Sequence, residues 1–157
     1  MMGILTAIVL VAQVAMGFLP NIELVTLLFI LYTLIFGKKV FLIIYTFVLL
    51  EGIIYGFGTW WFNYLYVWSV QAVVTLLFRK QTSVVFWSIL SGFYGLTFGA
   101  LCAVIYFFIG GPSAAFSYWI SGIAYDIPHC IGNVVLCLML YKPLRFILEK
   151  AVYESGR

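Results

Sequence analysis

Basic residues in this chain come in close pairs, and each pair closes an even-numbered apolar run. Lys38-Lys39, then Arg79-Lys80, then Lys142 and Arg145 interrupt a sequence that is otherwise 66% hydrophobic and 8% charged. A soluble domain is about half apolar and about one-quarter charged. Such a chain therefore reads as a membrane protein, with two apolar passages between successive basic clusters. Lys and Arg mark the cytoplasmic side of a membrane, so the pattern predicts an even number of spans with both termini inside.

A crossing takes about 20 apolar residues, which limits 157 residues to about six or seven short-looped spans. Those spans leave no room for a soluble domain, so residues 1–157 are expected to form a single integral membrane domain. The net charge of +3 is an orientation signal, too small and dispersed for a nucleic-acid surface. Cys102, Cys130 and Cys137 lie inside apolar runs, with no CxxC spacing and no matching His/Cys cluster. Small membrane thiols are expected there, with no metal site and no cofactor. The first residues lack a basic n-region and an A-x-A cleavage pattern, so Met1–Leu19 is expected to be a retained span.

The segments fall at about 2–19, 22–37, 39–57, 59–78, 83–109 and 114–148, separated by Pro20-Asn21, Gly37, the Gly56–Thr59 turn, Arg79 and Gly110-Gly111-Pro112. The sixth is too long for one straight crossing and contains Gly122, Asp126 and Pro128. A break or kink is expected there, with Asp126 capping a helix that starts near Ile127 and 114–121 forming an outer loop or half-helix. From Lys142 the tail is expected to continue as a cytoplasmic helix. The three outward connections, at Pro20-Asn21, Gly56–Thr59 and Gly110–Pro112, carry no Lys or Arg. The expected fold is thus an all-α membrane protein of six transmembrane helices, N-in/C-in, with a broken or kinked last helix.

Polar residues gather toward the outer ends of these spans. Gln13, Asn21, Glu23, Thr26, Glu51, Tyr55, Trp60, Trp61, Asn63 and Tyr64 all lie there, and Asp126, His129 and Asn133 follow in the last span. Ionisable residues within spans are costly and generally face a cavity or one another. Glu51, between Leu50 and Gly52, needs a partner, a cation or a proton. His129 and Asn133 share a helical face at i and i+4, and Asp126 joins them at i+3. Glu23 suits a helix cap equally well, and Trp60 and Trp61 suit an interfacial belt. The expected ligand site comprises Glu51, Tyr55, Trp61, Asn63, Tyr64, Asp126, His129 and Asn133. Small residues recur every four positions at Ser91, Gly95, Gly99 and Ala103, a spacing that lets helices approach closely.

The stretches LPNIELVTLLFILYTLIFGKK, YGFGTWWFNYLYVW and YDIPHCIGN together resemble the substrate-binding S components of energy-coupling factor transporters. The resemblance covers nearly the whole chain. It implies a six-helix bundle in the plasma membrane of a prokaryote, binding a vitamin or related micronutrient near the extracellular side. It also implies association with a transmembrane T component and two cytoplasmic ATPase subunits, which supply the energy; the chain itself is then no enzyme. On the first helix the face matching the T-component contact is Ala7, Val11 and Ala15, with Val11 in place of a small residue. Aromatic rings beside acids suit a planar, hydrogen-bonding ring, neutral or cationic. Two other classes compete. One is a non-transporting membrane scaffold of the kind that organises cell-wall synthesis. The other is an intramembrane acid/base enzyme on Asp126 and His129, a reading without a nucleophile or H-E-x-x-H motif beside it.

Overall fold

The computed structural model describes residues 1–155 and, among them, contains helices and no strands. Helix α1 is Met2–Met16, α2 Val25–Phe36, α3 Val40–Tyr55 and α4 Thr59–Leu77, with a short 3-10 turn at Gly37–Lys39 between α2 and α3. The rest is one helical stretch, Val84–Ser155, in which Gly111 alone leaves helical geometry. Its two limbs are α5 (84–110) and α6 (112–155). The final two residues of the expected domain, Gly156 and Arg157, lie outside the described residues.

Gly111 makes the reversal between α5 and α6 possible. Its φ of 76° and ψ of −171° belong to a region that only glycine occupies without strain. Pro112 follows at the first helical position, where its missing N–H removes no bond. The small-residue face of α5 then receives α6. A methyl on Gly95 would lie 2.9 Å from the backbone of His129, and one on Gly99 would lie 2.5 Å from Asp126 Oδ2. Asn133 Nδ2 donates to the Ser91 carbonyl at 3.2 Å, and Ala103 is buried. The four-residue spacing thus serves packing between α5 and α6.

The expected break near Gly122, Asp126 and Pro128 does not occur: α6 keeps helical φ/ψ from 112 to 155. Proline removes one backbone bond from a helix interior but its fixed φ is compatible with helix, at a cost of about 3 kcal/mol. The close contact of α6 with α5 on either side of Pro128 offsets that cost. Asp126 consequently caps nothing and faces α5, where its Oδ1 accepts the Gly99 N–H at 3.1 Å. Residues 114–121 are helical, and the tail beyond Lys142 continues the same helix.

Helix α2 is the centre of the bundle. Every residue from Val25 to Thr33 is buried, as befits a helix that is apolar on all sides. It packs against α4 and the α5–α6 pair, while α1 lies on α3 and α3 on α4. Phe29, Phe47 and Trp68 form an edge-to-face trio with centroids 5.4–6.4 Å apart. Trp87, Tyr141, Cys137 and Leu31 form a second cluster nearer the basic residues. The outer surface is also apolar: Leu42, Ile53, Leu77, Ile89, Phe93 and Met139 all point outward. Two stretches, Val25–Tyr55 and Val84–Glu154, are long and apolar enough to cross a membrane.

Candidate functional site

The connection from α1 to α2 carries the first element of the site. Asn21 adopts a left-handed φ of 57°, a conformation asparagine tolerates better than most residues. Its Nδ2 donates to the Tyr125 carbonyl of α6 at 2.9 Å, tying the connection to the last helix. Glu23 follows, with Oε2 accepting the Thr26 N–H at 2.8 Å and so satisfying a free donor at the start of α2. Its other oxygen, Oε1, lies 3.1 Å from His129 Nε2. The capping role foreseen for Glu23 is therefore joined to a contact with the last helix. Side-chain exposures of 6% for His129 and 13% for Glu23 make this a buried pair. The Phe98 ring sits edge-on to the imidazole at 5.1 Å.

This pair borders a cavity of about 280 Å³, bounded also by Gln13, Asn21, Tyr64 and Trp68. A second cavity of about 490 Å³ shares Gln13, Gly17 and Tyr64 with it and adds Glu51, Tyr55 and Trp60. A third, of about 320 Å³, shares Asn21 and Phe98 with the first and contains Tyr118, Tyr125 and Asp126. Shared wall residues make the three hollows neighbours, so this end of the bundle is grooved by three adjacent lobes with an acid in the lining of each. Glu51 is 3% exposed and Asp126 4% exposed. Glu51 Oε1 and Asp126 Oδ2 have no hydrogen-bond partner among the described residues. A buried polar atom left unmatched costs about 1–3 kcal/mol, which a donor or cation reaching either oxygen would recover. Among the described residues no group of three or more His, Cys, Asp or Glu could hold a metal ion.

Of the residues expected from the sequence, Glu51, Tyr55, Tyr64, Asp126 and His129 line the groove. Trp61, Asn63 and Asn133 are engaged in the bundle instead. Trp61 Nε1 donates to the Val48 carbonyl at 2.9 Å and its ring packs on Phe57. Asn63 is buried beside the Tyr66 hydroxyl, which itself donates to the Leu101 carbonyl at 2.6 Å. Asn133 holds α6 to α5. The groove also takes in Glu23, Gln13, Asn21 and Trp60, which are absent from the expected site. Their polar character at the outer ends of the first, second and fourth runs was the available signal. Helix phase decides between Trp60 and Trp61, and only the packed bundle supplies that phase. Ala7, Val11 and Ala15 lie exposed along α1, and Val11 and Ala15 border a shallow apolar depression with Leu10, Val14 and, across from them on α3, Ile54.

Comparison with models of known protein families, with characterised proteins and with solved structures finds no match. The reading of function rests on the groove itself.

Proposed function

We propose that this chain is the substrate-binding S component of an energy-coupling factor importer, a six-span N-in/C-in protein of a prokaryotic plasma membrane. The observation that carries the reading is a lobed groove with buried acids at the end of the bundle remote from the basic residues. Glu23 begins α2 and Glu51 is near the end of α3, whereas Lys38 and Lys39 sit at the opposite ends of those two helices. Asp126 and His129 precede Lys142 on α6 by several turns, and Tyr64 is near the start of α4 while Arg79 follows its end. With Lys and Arg inside, the groove opens outward.

The lobes are of a size that suits a small organic solute, since ligand pockets run to about 300–1,000 Å³. Aromatic walls at Tyr64, Trp68 and Trp60 offer stacking surfaces, and the acids offer acceptors for N–H groups or a positive charge. In this reading a vitamin or related micronutrient is captured from outside, and separate ATPase subunits drive its release inward through a T component. The exposed Ala7–Val11–Ala15 face of α1 is the contact for that T component.

Coexpression with a T component and two ATPases tests the proposal. The importer reading predicts a stable four-subunit complex, and a micronutrient that copurifies with the chain alone and is accumulated by cells only when the ATPases are active. Retrieval of cell-wall synthesis enzymes with no ATPase module and no bound solute would instead mark a membrane scaffold.

A further inference from the structure

The lobe around Asp126 differs in chemistry from the other two, and its walls define the group it takes. Three aromatic residues, Phe98, Tyr118 and Tyr125, line the lobe together with a single carboxylate. Each part is held by a contact of its own. Tyr118 stacks on Tyr106 with centroids 3.9 Å apart, and Phe98 leans on His129. The Tyr125 backbone is tied to Asn21, and Asp126 Oδ1 accepts the Gly99 N–H. What remains free is Asp126 Oδ2, buried and without a partner among the described residues. The Ser121 hydroxyl donates to the Tyr118 carbonyl, so its proton is not offered to the lobe. No Lys or Arg lines the lobe, and the one histidine of the chain directs Nε2 to Glu23.

We infer that the Asp126 lobe is an aromatic cage for an alkylated ammonium group, the head of the ligand whose body lies in the adjoining Glu23–His129 lobe. Ring faces attract a cation through their quadrupole, most strongly when it is desolvated, and quaternary ammonium groups are recognised in this way. A lone carboxylate supplies the counter-charge but is far too few oxygens for a hard metal ion, which takes six or more. A neutral apolar group would leave Oδ2 unmatched. The cavity of about 320 Å³ has room for a methylated ammonium head. This inference rests on the importer reading only for the identity of the site as a ligand site; the cage chemistry is tested without transport.

The probe pair is choline and 3,3-dimethylbutan-1-ol, its uncharged carbon isostere. Both are titrated calorimetrically against the full chain in phosphatidylglycerol nanodiscs, which contain no choline headgroups. The cage predicts a preference for choline of about ten-fold or more. Asp126→Asn should abolish that preference. Because the Asp126 side chain also holds Gly99, a second variant guards against misfolding. Gly122 lines the cage, and a Cβ on it meets nothing within 4 Å. Gly122→Leu should therefore fill the cage and remove choline binding while the protein stays folded, and Leu42→Ala on the outer surface should change nothing. Repeating the titration in phosphatidylcholine discs separates two sources of the group: weakened choline binding there assigns a lipid headgroup, and unchanged binding a free solute. No binding, equal binding of the isostere, or a choline preference untouched by both cage variants would overturn the inference. A choline preference without ATPase-dependent uptake would keep the cage and remove the importer, and uptake without the preference would do the reverse.

Discussion

Gly95→Ala is the substitution whose effect the geometry specifies most sharply. The added methyl would lie 2.9 Å from both the carbonyl carbon and the oxygen of His129, and 3.0 Å from Asn133 Nδ2. Carbon atoms pack at about 3.5–4.0 Å, so α5 and α6 must separate by roughly 0.5–1 Å at this point. The obstacle is helix backbone, which cannot rotate aside as a side-chain end can. Overpacking of this kind costs about 1–3 kcal/mol. Against it stands the helix propensity of alanine over glycine, about 1 kcal/mol. Gly122→Ala isolates the propensity term, because that methyl meets nothing within 4 Å. The difference between the two variants then reads the steric cost alone. Equilibrium unfolding in mixed detergent–SDS micelles should place Gly95→Ala about 1–3 kcal/mol below Gly122→Ala. It should also weaken ligand retention, because displacing His129 lengthens its 3.1 Å contact with Glu23. Equal or greater stability of Gly95→Ala would refute the close α5–α6 approach on which the position of Asp126 and His129 depends.

Other outcomes follow from the same contacts. A double-mutant cycle on Glu23→Gln and His129→Ala, read by unfolding free energy, should give a coupling of about 0.5–3 kcal/mol, and a value near zero would dissolve the buried pair. Glu51→Met should raise the stability of the empty protein by about 1 kcal/mol, because it removes a buried polar atom, Oε1, that is unpartnered, and should lower solute uptake. A loss of stability would show that Glu51 serves the bundle and not the groove. Trp61→Phe should cost about 1 kcal/mol through the lost bond to the Val48 carbonyl, a loss that a melting comparison can detect.

Helix-level organisation was legible in the sequence because long apolar runs between breakers allow little choice but helix. Breakers at Gly37, Gly56 and Gly111 stand where the helices end, whereas α1, expected to run to Leu19 before Pro20, stops at Met16; the small residues at Ser91, Gly95 and Gly99 announce a close packing face. Local rules failed at Pro128. Proline and glycine preferences argue for a break there, but helical φ/ψ continues through it with α5 packed alongside. The site was legible as a group of polar residues and illegible in its division of labour. Glu23 and Asn133 are both polar and both close to His129 in the fold, yet one faces the groove and the other bonds to Ser91. Trp60 and Trp61 are neighbours in sequence and point to different tasks, one toward Glu51's cavity and one toward Val48. Such choices depend on which helix lies opposite, and a single sequence does not carry that.

The claim beneath all of this is that the groove faces the cell exterior and the basic clusters face the cytoplasm. Substituted-cysteine labelling of intact cells with a membrane-impermeant maleimide, in a background free of the three native cysteines, tests it directly. Tyr55→Cys, at an exposed residue lining the Glu51 cavity, should label at once. Lys39→Cys and Gln81→Cys, exposed at the other end, should label only after permeabilisation. Labelling of the latter two in intact cells, with Tyr55→Cys protected, would place the groove on the wrong side for capture and contradict the account.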